Sequence, residues 1–215
     1  MSLFLCFWVL CLFVGVIPPH HAAENKMQAT KSAFFESQNY PVKIYSKRGD
    51  GIQGPWRFMT SNSIYLNMSS VKIPSVLCIK AKTTAKHEYS KTLSQKVDFK
   101  LRGDGTVTWR SMNASYAPIE FTRGGRVKTF NSYSNTTDAV TNYTFLLATP
   151  RCAVAVKSKK TKDQDAARSM ELWVNDYFSF KDSSECEKPF MEYCKCENEF
   201  TRYDINECEA SYGSA

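Results

Sequence analysis

Histidine is scarce in this chain of 215 residues, which contains three. His20 and His21 fall in a leader that we expect to be removed, so His87 would be the one imidazole that remains. Zinc chemistry and a Ser-His or Cys-His nucleophile are therefore poorly supplied. The sequence also shows no carboxylate pair at a catalytic spacing and no glycine-rich phosphate loop. We predict that the protein is not an enzyme and uses neither a cofactor nor a metal ion.

Long apolar runs are also lacking. The longest, from Leu3 to Ile17, has 15 residues, which is fewer than the ~20 needed to cross a bilayer. Two prolines and the small residues Ala22 and Ala23 follow it, a layout typical of a cleaved secretory signal, although the usual cationic start is missing. We therefore predict a signal peptide at 1–23 and a secreted, extracellular protein without membrane insertion.

Basic residues outnumber acidic ones but are not massed in one place. The formal net charge is +7 at pH 7. The densest basic run, Lys157 to Asp163, is more typical of a solvated loop than of a nucleic-acid surface. We predict no nucleic-acid partner.

Cysteine is present in an even number once the leader is removed. Cys6 and Cys11 would leave with the leader, and six of the eight cysteines would remain in an oxidising compartment. We predict that these six form disulfides rather than a metal site. They are Cys78, Cys152, Cys186, Cys194, Cys196 and Cys208.

Four sequons for N-glycosylation agree with secretion. We expect glycans at their asparagines because the sequon is the acceptor motif in secreted proteins. These asparagines are Asn67, Asn113, Asn135 and Asn142.

Hydrophobic residues alternate with polar ones along much of the chain after residue 76, which predicts strands buried on one face. Val97, Phe99 and Leu101 show the pattern clearly, and Gly103-Asp104-Gly105 then predicts a hairpin turn. Eight strands with turn signals between them predict an all-β sandwich or an up-and-down barrel. The predicted strands are 76–82, 96–102, 106–110, 119–121, 126–133, 142–148, 152–157 and 170–175.

Helical spacing is confined to the two ends of this strand-rich region. A helix is predicted over 188–200, with Pro189 in its first turn, and a short helix over 56–61. Residues 24–55 include few aliphatic residues and are predicted to form an N-terminal extension without fixed order. The folded domain is accordingly predicted over 56–215.

A spaced motif in the second half of the chain resembles a known family. Cys152-Ala153-Val154 is followed after sixteen residues by Glu171-Leu172-Trp173, and after twelve more by Cys186. This pattern is similar to that of the tick salivary lipocalins, the histamine-binding family, and a looser likeness extends from Trp56 to Cys208. The resemblance implies an eight-stranded antiparallel lipocalin-like barrel with a C-terminal helix packed outside.

The resemblance also implies a disulfide scheme. Cys194 and Cys196 fall outside that scheme, and they either pair with each other, bridge two molecules or rearrange the set. The two implied disulfides join Cys78 to Cys208 and Cys152 to Cys186.

The barrel interior is where the resemblance places ligand contacts. Glu171 and Trp173 would share the inner face, and Ala153 would face inward from another strand. A carboxylate in that position needs an internal partner or a cationic ligand. One interpretation makes Glu171 and Trp173 ligand contacts, and the other makes them a polar group held internally and a core residue.

Departures from the family pattern bear on the ligand. Amine-binding members carry Asp where this chain has Ala153, and an acidic residue where it has Ile73. Both changes remove anions that an ammonium needs in a low-dielectric cavity. We therefore predict an amphipathic lipid, such as a fatty acid, eicosanoid or sterol, ahead of a histamine- or serotonin-type amine.

Aromatic and cationic residues extend that prediction. Trp109 and Tyr133 are expected to line the cavity with the residues named above. Arg110 and Lys157 are interpreted as surface charges, with contact to a lipid carboxylate as the alternative. The implied function is a secreted, monomeric carrier that sequesters a small host inflammatory or haemostatic mediator by binding.

The tripeptide Arg-Gly-Asp occurs twice, as Arg48-Gly49-Asp50 and as Arg102-Gly103-Asp104. The second copy coincides with the predicted hairpin, where turn chemistry suffices to explain it. The first copy lies in the predicted extension, where a short motif would be accessible. Display of such a loop to a host integrin is therefore an alternative function.

Overall fold

The computed structural model describes residues 54–123, 125–161, 164–178, 184–196 and 199–209. The predicted signal peptide and Arg48-Gly49-Asp50 lie outside the described residues, as does the predicted extension up to residue 53.

Antiparallel strands dominate the described part of the chain. Strands β2 to β8 pair in chain order, and β1 pairs with both β8 and β2, which closes an eight-stranded barrel. A two-residue strand, β9, adds to the edge of β1. The strands are β1 Ser63–Ser69, β2 Val76–His87, β3 Thr92–Gly103, β4 Thr106–Phe121, β5 Val127–Ser134, β6 Thr137–Ala148, β7 Cys152–Thr161, β8 Gln164–Asn175 and β9 Thr201–Arg202. The predicted barrel is confirmed.

Three helices accompany the barrel in the described residues. They are α1 Pro55–Met59, α2 Ser184–Cys194 and α3 Asn206–Glu209. Helix α2 packs against the outside of the barrel, and Cys186, Phe190 and Cys194 are its buried residues. The C-terminal helix was predicted over 188–200, but it begins at Ser184 and contains Pro189 in its interior. The disulfide at Cys186 and the burial of Phe190 fix this segment on the wall, and this tertiary packing outweighs the local preference of proline.

Two strands differ from the sequence prediction. Strand β4 is continuous over 106–121, whereas only its ends were predicted, because its ladder with β3 runs without a break from Gly103 to Leu93. Strand β1 was missed because every residue from Ser63 to Ser69 is buried, so the strand has no polar face to create an alternating pattern.

Inward and outward faces follow the predicted alternation. Ile79 and Ala81 on β2 pair with Phe99 and Val97 on β3, and all four contribute to the interior core. The residues between them point outward. Helix α1 covers one end of the barrel, where Phe58 and Met59 join the same core. We call this the closed end, and the opposite end, which carries the β3–β4 hairpin turn, the open end.

Three disulfides join the cysteines of the described residues. Cys78 bonds to Cys208 and Cys152 to Cys186, as the resemblance implied, and Cys194 bonds to Cys196. The first two close loops of 130 and 34 residues and attach the C-terminal segment to the barrel wall. On the chain-entropy model they stabilise the fold by about 5 and about 4 kcal/mol.

Candidate ligand-binding site

A buried carboxylate on β8 is the centre of the candidate site. Glu171 is 1% exposed and faces Ala155 on β7 and Ser69 on β1. Its Oε1 lies 3.1 Å from Lys157 Nζ, and its Oε2 accepts a hydrogen bond of 2.9 Å from Trp173 Nε1. Both carboxylate oxygens therefore have an internal donor, which is the arrangement that a buried charge requires.

Lys157 reaches Glu171 because alternation along β7 turns it inward. Ala153, Ala155 and Lys157 are two residues apart, so all three lie on the inner face. Lys157 Nζ also lies 5.8 Å from the centre of the Tyr143 ring, which gives a cation–π contact. The Lys157 side chain keeps 32% of its surface accessible, whereas Glu171 keeps 1%. Lys157 thus connects the buried carboxylate to the accessible part of the interior.

The charges of this group are fixed at neutral pH. The Glu171 carboxylate raises the pKa of Lys157 above its usual range, although burial opposes the rise. Burial raises the pKa of Tyr143 to about 12, even though the Lys157 charge lowers it, and burial also raises the pKa of Tyr116. At neutral pH the interior therefore contains two neutral phenols beside the ion pair of Lys157 and Glu171.

Aromatic rings occupy much of the remaining interior. The Tyr116 and Tyr143 ring centres are 6.2 Å apart, and those of Phe130 and Phe145 are 6.0 Å apart, edge to face. A cavity of about 20 Å³ remains at the closed end. This volume suits about one water molecule and is far below the ~300 Å³ of a small ligand pocket. The cavity is lined by Phe58, Met59, Ile64, Ala81, Gln95, Tyr116, Tyr143, Phe145, Ala155 and Trp173.

Three of the five predicted ligand contacts meet in the interior. Ala153 is fully buried opposite Trp173, and Glu171 is bonded to that Trp173. The structure does not bring Trp109 or Tyr133 to them. Trp109 pairs with Lys100 on the outward face that carries Cys78, and Tyr133 is 46% exposed.

The hairpin turn decides the position of Trp109. Its register pairs Arg102 with Val107, so Val107 and Trp109 share the outward face of Arg102 rather than the inward face of Leu101. Tyr133 lies outside the interior because of the alternation along β5, where Phe130 and Ser132 are buried and Tyr133 points outward.

Sequence reasoning missed four polar or aromatic residues of the interior. Lys157 was interpreted as a surface charge within a basic loop, although the alternation that turned Ala153 inward also applied to it. Gln95 stands between the inward residues Leu93 and Val97, and the same rule would have identified it. Tyr116 and Tyr143 lie on parts of β4 and β6 where polar neighbours obscure the pattern. Arg110 pairs with Phe99 on the inward face, yet its side chain is exposed near the open end.

A larger cavity, of about 400 Å³, lies outside the barrel beside the C-terminal segment. The Tyr65 hydroxyl lies 3.0 Å from Asp176 Oδ1 and 2.7 Å from Glu209 Oε1, and Lys80 Nζ lies 2.8 Å from the same Glu209 oxygen. These contacts attach helix α3 to β1 and β2. The cavity is separate from the interior group, and the contacts around it hold helix α3 on the outside of the barrel.

The predicted glycosylation sites differ in accessibility. Asn113 and Asn135 are exposed and Asn142 is partly exposed, so the structure leaves room for glycans there. Asn67 is 1% exposed in a bulge of β1, and its Nδ2 has no hydrogen-bond partner among the described residues. A glycan on Asn67 is incompatible with this arrangement because the acceptor nitrogen is enclosed.

The second Arg-Gly-Asp copy forms the tip of the β3–β4 hairpin. Arg102, Gly103 and Asp104 are all exposed, and Gly105 adopts a positive φ of 79° that closes the turn. Turn chemistry thus accounts for the glycine at 105, and the tripeptide is accessible.

Two other kinds of site are absent from the described residues. These residues contain no group of three or more His, Cys, Asp or Glu side chains that could hold a metal ion. No helix within them is long and apolar enough to cross a membrane.

Solved structures with a similar fold come from the lipocalins. Japanin from Rhipicephalus appendiculatus matches with a TM-score of 0.52 and 8% identity, over 70% of this chain and 97% of Japanin. The siderocalin Ex-FABP matches with a TM-score of 0.44 and 11% identity, over 67% and 93% of the two chains. A bovine odorant binding protein variant has a TM-score of 0.43 and 11% identity, over 66% and 92%. At 8% identity, the Japanin match supports the fold alone.

Sequence comparison identifies the family. No curated protein matches the sequence. The model of the tick histamine-binding protein family matches residues 47–210, which include the whole barrel and the tail that its disulfides hold. The chain therefore belongs to the tick histamine-binding protein family, the tick salivary lipocalins.

Proposed function

We propose that this protein is a secreted carrier that sequesters an amphipathic lipid with an anionic head group, such as a fatty acid or an eicosanoid. The observation that supports this is the interior ion pair of Lys157 and Glu171. Small-molecule binding follows from the family, whereas the class of ligand rests on the charges of this interior.

A biogenic amine is the less favoured ligand because the interior carboxylate already has two donors. An ammonium that bound Glu171 would have to displace Lys157 Nζ or the Trp173 indole. Displacement would leave a lysine charge without its partner in a region of low dielectric, which is costly. Ala153 supplies no second carboxylate. The amine would therefore be attracted by Glu171 and repelled by Lys157.

An anionic head group meets the opposite situation. The Lys157 side chain keeps 32% of its surface accessible, and an ammonium has three donors to share. Arg110 lies on the inward face toward the open end and forms no ion pair within the described part of the chain. A carboxylate that enters from the open end would therefore pass Arg110 and reach an ion pair whose cation, Lys157, is the more accessible partner.

The apolar part of such a ligand needs space that the interior provides only after side chains move. Met112 packs against the core on the inward face of β4, and Met59 forms part of the closed end. Methionine side chains are unbranched and rearrange at low cost. Japanin, which shares the fold, is described as bound to cholesterol, so a barrel of this type can hold a large apolar molecule. We expect the cavity to be larger in the complex.

The setting of this activity follows from the leader, the disulfides and the sequons. We propose that the carrier acts outside the cell as a monomer, with glycans at Asn113, Asn135 and Asn142. Its ligand would be an inflammatory or haemostatic mediator of the host, as the family's salivary origin suggests.

Calorimetric titration with histamine, serotonin and a panel of fatty acids and eicosanoids tests the proposal. We expect micromolar or tighter binding of at least one anionic lipid, and a loss of tenfold or more in Lys157→Met. Lys86→Met, at a lysine that is 49% exposed and pairs with Glu88, is the matched control. Tight histamine binding with no lipid binding would overturn the proposal.

Integrin binding is a second candidate because the exposed hairpin tip displays Arg102, Gly103 and Asp104. Inhibition of integrin-dependent cell adhesion by the purified protein would support it, provided that Asp104→Ala or Asp50→Ala removes the effect. Asp50→Ala tests the first copy of the tripeptide. Inhibition that survives both changes would exclude this candidate.

A further inference from the structure

A buried amide at the closed end has an acceptor atom with no partner. Gln95 is 1% exposed on the inward face of β3 and lines the interior cavity. Its Oε1 forms no hydrogen bond with any described residue. Because an unsatisfied buried carbonyl is costly, such an atom is usually met by a water molecule or a ligand.

The hydrogen bonds of the other end of the amide fix its orientation. Gln95 Nε2 donates to the Met59 carbonyl oxygen at 3.0 Å and lies 3.5 Å from Thr83 Oγ1. Thr83 Oγ1 in turn donates to the Ser61 carbonyl oxygen at 2.9 Å, so it is available as an acceptor. A flipped amide would place Oε1 against the Met59 carbonyl, which has no proton to donate. The oxygen therefore stays on the side away from the Met59 carbonyl.

The neighbouring polar groups around the cavity bond to partners other than the Gln95 oxygen. Trp173 Nε1 donates to Glu171, and the Tyr116 oxygen accepts from Ser132. The Tyr143 oxygen accepts from Lys157, whose ammonium has no lone pair to offer. None of these groups donates to Gln95 Oε1. A molecule that enters the cavity can therefore supply the donor that Gln95 lacks.

We propose that Gln95 determines specificity by accepting a hydrogen bond from a hydroxyl on the buried end of the ligand. This inference rests on the proposed function, because it concerns the far end of the same interior site. The cavity at Gln95, about 20 Å³, already has room for one hydroxyl oxygen before any side chain moves. The ligand class is accordingly an acid with two polar ends, with its anion at Lys157 and a hydroxyl at Gln95.

Binding of paired fatty acids tests this assignment without any variant. Each plain acid from octanoic to hexadecanoic acid is compared with its ω-hydroxy and α-hydroxy derivatives by calorimetry. At the chain length that spans the interior, we expect the ω-hydroxy acid to bind roughly three- to tenfold more tightly than the plain acid, because one net hydrogen bond is gained. The α-hydroxy acid carries its hydroxyl beside the carboxylate and should bind like the plain acid.

Two variants locate the effect. In Gln95→Met, which replaces the amide by an apolar chain of similar length, the preference for the ω-hydroxy acid should disappear. Thr83→Val is the matched control, because it alters the same network but keeps the Gln95 oxygen, and the preference should survive. Circular dichroism verifies that both variants fold.

The outcomes separate this inference from the function on which it rests. Equal binding of plain and ω-hydroxy acids at every length overturns the role of Gln95 but keeps the anionic lipid carrier. A preference for the ω-hydroxy acid that persists in folded Gln95→Met also overturns the role of Gln95 and keeps the carrier function. If neither these acids nor the eicosanoids of the earlier titration bind, both the carrier function and the role of Gln95 are wrong.

Discussion

The two ends of the barrel interior differ in packing and in charge. At the closed end, Phe58, Phe145 and Ala155 are almost fully buried, and the remaining cavity holds about one water molecule. Toward the open end, Lys157 keeps 32% of its side-chain surface accessible and Arg110 is exposed. The same alternation of inward residues produces both regions. The difference shows that the covering element, helix α1, decides which part of a barrel becomes core and which remains available to a ligand.

Phe58→Ala should produce the largest change, because it removes a ring from the filled end. We expect the free energy of unfolding to fall by about 3–5 kcal/mol, as for other buried aromatic residues. Urea denaturation followed by tryptophan fluorescence measures this. Val107→Ala, at a residue near the open end that is 50% exposed, should change stability by no more than about 0.5 kcal/mol. Similar losses in the two variants would mean that the ends do not differ in packing.

Lys157→Met should have the next largest effect on stability, since it leaves Glu171 buried without its cation. We expect a loss of about 2 kcal/mol, less than for a fully buried pair because Lys157 is partly accessible. Adding Glu171→Gln should restore part of the loss, and the double-mutant cycle gives the coupling energy. A coupling energy near zero would show that the pair does not act as an interior ion pair.

Tyr143→Phe should change the pH dependence of stability in alkali. Burial raises the pKa of Tyr143 to about 12, so its phenol ionises more easily in the unfolded chain than in the folded one. Its contribution is complete below the ordinary pKa of about 10 and is lost as pH rises toward 12. The wild type should therefore lose about 1 kcal/mol more than Tyr143→Phe by pH 11.

The exposed residue Tyr89 provides the control for that experiment. Tyr89→Phe should leave the alkaline slope of the unfolding free energy unchanged. Lys157, whose pKa Glu171 raises, also contributes stability that is lost in alkali, so some slope remains in every variant. Equal slopes in Tyr143→Phe and wild type would contradict burial of the Tyr143 hydroxyl.

The smallest effect is expected outside the barrel, at the pair of Lys80 and Glu209. Hydrogen bonds from Lys80 and Tyr65 lower the pKa of Glu209, so its contribution is present above the ordinary carboxyl pKa and is lost as pH falls through the lowered value. Glu209→Gln should cost no more than about 0.5 kcal/mol at neutral pH, because the carboxylate is mostly exposed. Guanidine denaturation at pH 7 and pH 3 measures it. A cost as large as that of Lys157→Met would remove the distinction between interior and exterior pairs.

Alternation predicted most strands because one face of each is buried and the other is not, and the resemblance to the family predicted that they close into a barrel. Ile79 and Cys78 on β2, and Ala153 and Cys152 on β7, took the expected sides. The prediction failed where burial covered both faces, as in β1, and where a register had to be known. Trp109 is the clearest case, because a shift of one residue across the hairpin would have turned it inward.

The candidate site was predicted only in part for a related reason. Glu171, Trp173 and Ala153 were placed in the interior by resemblance, and the structure brings them together. The partner of Glu171 was expected to exist but was not identified, since Lys157 stands in a run of lysines that has the composition of a solvated loop. Composition describes the run as a whole, whereas alternation assigns each residue of it to one face.

The sequence by itself determined strands with one buried face, because period-two hydrophobicity is a local feature that any register preserves. The barrel rather than a sandwich, and the pairing of four cysteines, followed from the resemblance to the family. Only the tertiary structure decided that Lys157 neutralises Glu171, that Gln95 has a free acceptor, and that Asn67 is enclosed. Each of these outcomes depends on distances between strands far apart in the chain. Closure of the barrel and the position of helix α1 fix those distances, and both depend on residues that are distant in the sequence.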